Sequence, residues 1–229
     1  MQKVKFLYFF TIIALLNTLA HASGYQNITA GYIFENASVT HPKIDHTDNV
    51  TNYAVNLMYT KMHPLFFLRG RVILHPDQYL SKGYSQGNRY TARLNMLDLD
   101  FTWGAKYLFS RKFYFIPAIS IRYKSATTRF KNIDNSINES SSISEFTFPL
   151  ELLLGYQYDK RSDLLLGYHI EEDVSVLKRH EEKDLSLTWQ HTFGRNPIMN
   201  LSYRKTTSYL DQNIKIIHER FIAAIGYNF

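Results

Sequence analysis

Two polar segments of the chain contain side chains that could carry out chemistry. The first combines imidazole and carboxylate groups: His169, Glu171, Glu172, Asp173, His180, Glu181 and Glu182. A carboxylate beside an imidazole can activate water or a nucleophile, as a protease or a lipid-modifying enzyme requires. The second segment offers nitrogen and oxygen ligands that could hold a metal ion: His41, Asp45, His46 and Asp48.

Neither segment has the fixed spacing or the motif of a catalytic or metal site. The run VLKRHEEKD is typical of a solvated, charged loop. The sequence therefore predicts a protein without enzymatic activity, metal or cofactor, and a protease or lipid-modifying enzyme is the remote alternative. The formal net charge of +6 is too small to indicate nucleic-acid binding.

The elements that position these residues alternate apolar and polar side chains with a period of two, which indicates β-strands. In LDLDFTWGAKY, every odd-numbered residue from Leu97 to Trp103 is apolar and every even-numbered one is polar. Nine further segments are predicted strands: YQNITAGYIF, NYAVNLMYT, FFLRGRVIL, FYFIPAISIRY, FTFPLELLLGYQY, DLLLGYHI, DLSLTWQHTF, IMNLSYR and FIAAIGYNF. Beyond the N-terminal segment there is no run of about 18 apolar residues that would indicate a transmembrane helix.

The connections between these strands alternate in length. Four are short and contain turn residues: KMHP (61–64), FSRK (109–112), DKRS (159–162) and GRNP (194–197). Five are long and polar, near residues 36–50, 76–90, 125–144, 171–183 and 205–215. Short turns at one end and long loops at the other are typical of an outer-membrane β-barrel. A secreted β-sandwich also alternates its side chains, but it has no reason to alternate the lengths of its connections.

The predicted fold is therefore all-β, a transmembrane antiparallel up-and-down barrel of ten strands. An eight-stranded barrel is the alternative, and it would require DLSLTWQHTF and IMNLSYR to project as an outer hairpin. Twelve strands would require strands within polar loops such as KNIDNSINESSSIS. No repeat or linker divides the chain, so we expect one barrel domain over residues 23–229.

Residues 1–22 have the three parts of a secretory signal peptide. Lys3 and Lys5 precede an apolar run, and Ala20-His21-Ala22 forms a small-residue cleavage site. The apolar run of about eleven residues is shorter than the roughly 20 that a spanning helix needs. We therefore expect cleavage near Ala22 and a multi-pass protein of the cell outer membrane. The sequence has no cysteine, so no disulfide framework is expected.

The final segment, FIAAIGYNF, places Phe221, Tyr227 and Phe229 on one face. Because hydrocarbon offers no hydrogen bonds, a barrel must close without a free edge, and this segment is predicted to pair with the first strand near residues 25–34. Aromatic rings at strand ends are typical of the girdles at the lipid–water boundary. A terminal Phe after alternating apolar residues resembles the assembly signal of outer-membrane barrels, which implies the barrel assembly machinery as a partner.

Three stretches within residues 25–126 carry a more specific similarity: ITAGYIFENA, YAVNLMYTKMHPLFFLRGRVIL and LDFTWGAKYLFSRKFYFIPAISIRYKSA. They resemble the first five strands of the Ail/Lom type of small outer-membrane barrels, the OmpX-like family. The resemblance implies eight strands, no enzymatic residues, and a role in adhesion to host surfaces, serum resistance or envelope maintenance through the outer loops. Two additional predicted strands distinguish this sequence from that pattern.

The outer loops contain the side chains that we expect to contact a partner: Arg129, Phe130, Lys131, Lys178 and Arg179. Aromatic and arginine side chains are the usual energetic anchors of an interface. Cationic groups at an outer rim can also pair with lipopolysaccharide phosphates. The expected partners are outer-membrane lipid, lipopolysaccharide and host surface ligands, and nucleic acid is not among them.

The alternation also predicts charged side chains inside the barrel: Arg69, Arg71, Asp98, Asp100, Arg122, Lys124, Glu151 and His169. Two registers fit the turn near 110–112. Asp100 lies across from Arg122 with Asp98 across from Lys124, or Asp98 lies across from Arg122. The same reasoning places Glu151 beside His169 or Glu171. Opposite charges at these separations interact, so the predicted lumen is a largely plugged, salt-bridged core with a basic surplus.

A small channel for small or anionic solutes is the alternative to the plugged lumen. It would use the basic residues at inward or nearly inward positions: Arg69, Arg71, Arg122, Lys124, Arg204 and Arg220. Wide aqueous channels need about 16 strands, whereas about eight strands are filled by their own side chains. Ten strands lined by large side chains therefore favour the plugged lumen.

Overall fold

The computed structural model describes residues 25–40, 47–85, 88–132, 138–159, 161–172, 181–210 and 214–229. It contains twelve strands in chain order: β1 (Tyr25–Thr40), β2 (Thr47–Met62), β3 (Phe66–Ser85), β4 (Asn88–Ala105), β5 (Tyr107–Leu108), β6 (Phe113–Asn132), β7 (Asn138–Thr147), β8 (Leu150–Asp159), β9 (Ser162–Glu172), β10 (Glu181–Thr192), β11 (Pro197–Leu210) and β12 (Ile214–Asn228). Within these ranges no helix is long and apolar enough to span a membrane. The predicted signal peptide lies outside the described residues.

The strands form a closed antiparallel barrel, in which β12 pairs with β1 and β6 pairs with both β4 and β8. Two of the twelve strands are continuations rather than additional crossings. β5 continues β4, and β7 continues β8, because each keeps the register of its partner against β6. The prediction of ten strands is confirmed. The eight-stranded alternative is wrong, because DLSLTWQHTF and IMNLSYR belong to β10 and β11 in the barrel wall.

A proline explains why β7 and β8 are separate elements. Pro149 has no N–H, so the ladder loses one bond there, although the Ser120 N–H still donates to the Pro149 carbonyl at 2.9 Å. The polar stretch KNIDNSINESSSIS does contain a strand, the first part of β7. That strand lengthens one strand of the barrel and adds no new crossing.

The two faces of the barrel wall have opposite chemistry. Outward side chains are large and apolar, and Trp103 and Ile121 are 53% and 51% exposed. Apart from two apolar clusters, inward side chains are polar or charged, and Asp98 and Arg122 are each only 2% exposed. A water-soluble sheet places its apolar face inside, so this arrangement is favourable only where hydrocarbon surrounds the barrel. The prediction of apolar side chains outside and polar ones inside is confirmed.

Aromatic rings lie at both ends of the outward apolar band. At the end with the long hairpins, cross-strand neighbours form a row of rings on four strands: Tyr53, Phe34, Phe221 and Tyr203. At the end with the short turns, the rings of Tyr107 and Phe115 stack with centroids 4.8 Å apart. These rows correspond to the girdles at the lipid–water boundary.

Four of the five long connections are mostly paired strand, and for these the expectation of loops is wrong for most of their length; in the fifth, at 171–183, the described residues 171–172 and 181–183 are paired. In the connection at 125–144, β6 and β7 stay paired as far as Lys131 opposite Asn138. The last pairs of the other hairpins are Thr40–Thr47, Ser85–Asn88, Glu172–Glu181 and Leu210–Ile214. Beyond the apolar band neither face of these strands contacts lipid or a core. Apolar residues are therefore not required on one face, and the sequence does not alternate there.

Replacing Gly155 by alanine should destabilise the barrel. The inward ring of Tyr114 lies over this glycine, and an added Cβ would be 2.1 Å from the Tyr114 Cζ atom. Displacing a ring that is 3% exposed should cost about 1–3 kcal/mol of unfolding free energy. Denaturant titration would measure the change. Gly70 is the matched control, because a Cβ there meets nothing within 4 Å. Equal stabilities for Gly155→Ala and Gly70→Ala would contradict this reading of the packing.

Candidate functional site

Arg122 is at the centre of one group of ion pairs inside the barrel. It forms a salt bridge with Asp98, in which the Arg122 Nε donates to Asp98 Oδ1 at 2.9 Å. Its Nη1 donates to Glu171 at 2.8 Å, and the Lys124 ammonium contacts the other Glu171 oxygen at 2.9 Å. Two cations thus share two carboxylates on three strands, which holds β4, β6 and β9 together through the lumen.

The cross-strand register is the first of the two predicted ones. Asp98 lies opposite Lys124, and Asp100 lies opposite Arg122. The salt bridges nevertheless connect other partners, since Arg122 reaches diagonally to Asp98 and Lys124 turns toward Glu171. Long side chains can span such diagonals, so the register restricts the possible partners without selecting one.

A second group of ion pairs involves the arginines of β3. Arg71 donates to Asp100, its neighbour across the ladder, at 2.7 Å. Arg69 donates to both Glu151 oxygens at 3.2 and 2.6 Å, and its Nη2 also donates to Thr102 at 2.9 Å. Glu151 is on β8, and two strands, β4 and β6, lie between β3 and β8 in the sheet, so this contact crosses the lumen.

His169 lies beside carboxylates and has no clear catalytic geometry. Glu151 is its ladder neighbour, but the nearest acidic atoms to His169 Nε2 belong to Glu171 at 3.5 Å and Asp184 at 3.9 Å. Asp184 is itself bridged to Arg204. His169 is 3% exposed, so an attacking water would have no open approach from the surface. The arrangement suits a structural contact in the lumen wall.

A third group, at the seam where the barrel closes, was not predicted from the sequence. Glu35 on β1 lies opposite Arg220 on β12, and the Arg220 guanidinium donates to Glu35 at 3.2 Å. His218 hydrogen-bonds to the same carboxylate, and His75 Nδ1 is 3.6 Å from its second oxygen. The Glu35–Arg220 pair could have been identified from the sequence. Glu35 is at an inward position of the first strand, which was predicted to pair with the last strand.

The charges of these three groups and of the Arg204–Asp184 pair balance. The six cations proposed for an anion channel all contact a carboxylate: Arg69, Arg71, Arg122, Lys124, Arg204 and Arg220. Six carboxylates accept them: Glu35, Asp98, Asp100, Glu151, Glu171 and Asp184. The expected basic surplus is therefore absent from this set of contacts. The inward or nearly inward positions predicted from the sequence included all six cations but only three of the six carboxylates, Asp98, Asp100 and Glu151.

An apolar cluster and a small cavity complete the interior. Toward the turn end, buried side chains pack across the lumen: Met62, Phe67, Tyr114, Ile116 and Leu153. A cavity of about 80 Å³ lies between this cluster and the ion pairs. Ligand sites usually enclose roughly 300–1,000 Å³, so this cavity is small for a solute.

The other residues that the sequence suggested for catalysis or metal binding do not form a site within the described part of the chain. His41, Asp45 and His46 lie outside the described residues, as do Asp173 and His180. Asp48 is on β2, Glu172 ends β9, and Glu181 and Glu182 begin β10. In the part of the chain that the structure describes, no three His or carboxylate groups are placed to hold a metal ion.

The predicted partner-binding residues lie on or beyond the projecting hairpins. Arg129 and Lys131 are exposed on β6, and Phe130 lies between them on the same strand. Lys178 and Arg179 lie outside the described residues. At the other end, Phe221 and Tyr227 face outward on β12, and the Phe229 N–H donates to the Gln26 carbonyl at 2.9 Å. The chain end is thus bonded to the first strand.

No known family profile matches the sequence, and no curated protein matches it either. Solved structures match in fold. The β domain of the Bordetella autotransporter BrkA has a TM-score of 0.58 and 13% identity over 89% of this chain and 99% of that chain. The translocator domain of the autotransporter NalP from Neisseria meningitidis has a TM-score of 0.54 and 12% identity, covering 97% of this chain and 95% of that chain.

Ail, the attachment invasion locus protein of Yersinia pestis, is also among the matching structures. Its TM-score is 0.39 and its identity 14%, over 90% of this chain and 99% of that chain. The likeness to the two autotransporter domains indicates the fold of an outer-membrane β-barrel, and at such identities none of these matches transfers a function.

Proposed function

We propose that this protein is an outer-membrane barrel that acts in surface interaction through its projecting hairpins, in adhesion, serum resistance or envelope maintenance. The observation that carries the proposal is the balanced set of ion pairs that fills the lumen. A barrel whose interior is occupied by its own side chains has its accessible surface in the hairpins. We further propose that it is exported, resides in the outer membrane in contact with lipopolysaccharide, and is not an enzyme.

Shortening two of the hairpins should abolish binding while the barrel still folds. The β6–β7 hairpin can be shortened in register by replacing residues 128–141 with a two-residue turn between Thr127 and Ser142, which are paired. In the β9–β10 hairpin, residues 173–180 can be replaced by a two-residue turn between Glu172 and Glu181, which are paired. This second deletion removes Lys178 and Arg179 and keeps Glu171 on Arg122. Adhesion to host cells and survival in serum would be measured in a deletion strain that carries each variant.

The matched control replaces residues 83–90 of the β3–β4 hairpin with a two-residue turn between Lys82 and Thr91, which are paired. Gel mobility before and after boiling would establish that every variant is folded. Unchanged adhesion and serum survival after both shortenings would exclude these hairpins as the binding surface. The control variant separates a specific effect from a general response to a shorter outer rim.

A further inference from the structure

Four strands continue together beyond the outward aromatic row. β3, β4, β6 and β7 remain paired, and β4 and β6 reach Tyr90 opposite Asn132. Tyr123 lies at the height of this aromatic row, and the centroid of its ring is 4.8 Å from that of Phe146. From Tyr123 to Asn132, β6 extends by about 30 Å at the rise of a β-strand. We call this extension of the four strands the raised sheet.

The raised sheet has two edges. On one side it separates from β2, because β2 and β3 are paired only up to Val55 opposite Leu74. On the other side, β8 and β9 are paired only up to Leu150 opposite Ile170. Within the described ranges β7 pairs with β6 alone. Upper β3 and β7 are therefore the two edges.

The two edges differ in their protection against strand addition. β3 contains Pro76, and its register against β4 shifts after His75 and again after Tyr79. Proline and bulges are the features by which natural edge strands prevent further pairing. β7, NESSSISEFT, has no proline and keeps one register against β6 over its 10 residues. Over its described length β7 is thus a long, regular edge that has neither a proline nor a bulge.

The direction of the β7 backbone groups follows from one hydrogen bond. The Ser120 N–H donates to the Pro149 carbonyl, so the odd-numbered residues of this continuous strand bond to β6. In an antiparallel ladder the alternate residues direct their N–H and C=O groups to the other side. Those residues include Ser140, Ser142 and Ser144, whose side chains are exposed on the outward face. The free edge therefore presents backbone donors and acceptors beside small side chains.

We propose that the free edge of β7 binds an extended segment of another polypeptide as an additional antiparallel strand. The inference deepens the proposed function and rests on it. Main-chain hydrogen bonds supply the affinity in this mode of recognition. Glu145 is on the inward face of β7, opposite Lys124 of β6. Its carboxylate favours a basic residue at the neighbouring position of the incoming strand. The partner is thus an extended, basic segment.

The β7 edges of two copies do not fit together, and upper β3, the other edge, carries Pro76 and the two register shifts. Two copies in one membrane are related by rotation about the membrane normal, so both β7 strands run in the same direction. The antiparallel ladder between them is therefore unavailable. A segment of a different protein has no such constraint, because it can approach in either direction.

The experiment uses the full-length folded barrel in detergent and a fluorescent peptide, YKSATTRFKN, which copies residues 123–132 of β6. This is the segment that the structure pairs with β7, and it is basic. Fluorescence anisotropy should show saturable binding. Ser142→Pro removes an edge-facing N–H but no bond to β6, and it should weaken binding by about tenfold or more. Ser142→Ala keeps the backbone group and should bind as the wild type does.

Hydrogen exchange gives an independent measurement on the same samples. The amides of residues 140, 142 and 144 should exchange rapidly in the free protein and become protected when the peptide is added. Absence of saturable binding, or equal binding by Ser142→Pro, would overturn the proposal. Protection of these amides without peptide would also overturn it, because another part of the chain would then cover the edge.

The same variants separate this inference from the proposed function. If the hairpin deletions abolish adhesion and Ser142→Pro does not, strand addition is wrong while surface interaction stands. If Ser142→Pro abolishes peptide binding and none of the variants changes adhesion or serum survival, the edge site stands and the proposed function fails. Unaltered gel mobility of Ser142→Pro before and after boiling would show that the barrel is intact.

Discussion

Replacing Arg122 by alanine should lower the unfolding free energy of the barrel by about 3–5 kcal/mol, the usual cost of breaking a buried ion pair from one side. The substitution leaves Asp98 and Glu171 without their shared guanidinium at positions that are 2% and 1% exposed. Lys124 still neutralises one Glu171 oxygen, whereas Asp98 loses the only salt bridge described for it. Urea titration in detergent, followed by tryptophan fluorescence and gel mobility, would measure the loss.

An exposed ion pair provides the matched control for Arg122→Ala. Lys205 and Glu219 are bridged at 3.3 Å, but their side chains are 48% and 44% exposed. Lys205→Ala should therefore cost at most about 1 kcal/mol. Asp98→Ala should also destabilise the barrel, and the double variant with Arg122→Ala should lose less than the sum of the two single losses. If Arg122→Ala were as stable as Lys205→Ala, the ion pairs of the lumen would not stabilise the barrel as predicted.

The wild-type barrel should produce no steady conductance in planar bilayers, only small and noisy steps. The six cations of the lumen are each held by a carboxylate, and an apolar cluster packs across the lumen toward the turns. A mobile anion would have to displace these pairs and pass the buried side chains of the apolar cluster. Single-channel recording at several salt concentrations would test the expectation.

A variant of the same barrel should open a path and serve as the positive control. Phe67→Ala removes a ring of the apolar cluster, and Arg69→Ala with Glu151→Ala removes a cross-lumen pair without changing the net charge. All three residues line the cavity of about 80 Å³, so the triple variant should enlarge it and conduct more than the wild type. A steady, anion-selective current through the wild type would instead support the channel alternative.

The sequence determined which segments cross the barrel wall and which way their side chains face. A strand between lipid and a polar interior must alternate with a period of two, so the pattern of LDLDFTWGAKY shows which residues face lipid and which face the interior. The same pattern in the final segment predicted its pairing with the first strand, as observed for β12 and β1. Within the membrane, each local pattern has a single favourable interpretation.

Other features depended on contacts that the sequence does not record. Arg122 could reach either of two carboxylates on β4, and only the three-dimensional arrangement placed Glu171 beside it from β9. Glu151 and Arg69 meet across the lumen, although their strands are not neighbours. The paired hairpins were likewise hidden, since water surrounds both faces and imposes no period. Local alternation thus determines the wall, whereas the ion pairs and the raised sheet follow only from how distant strands come together.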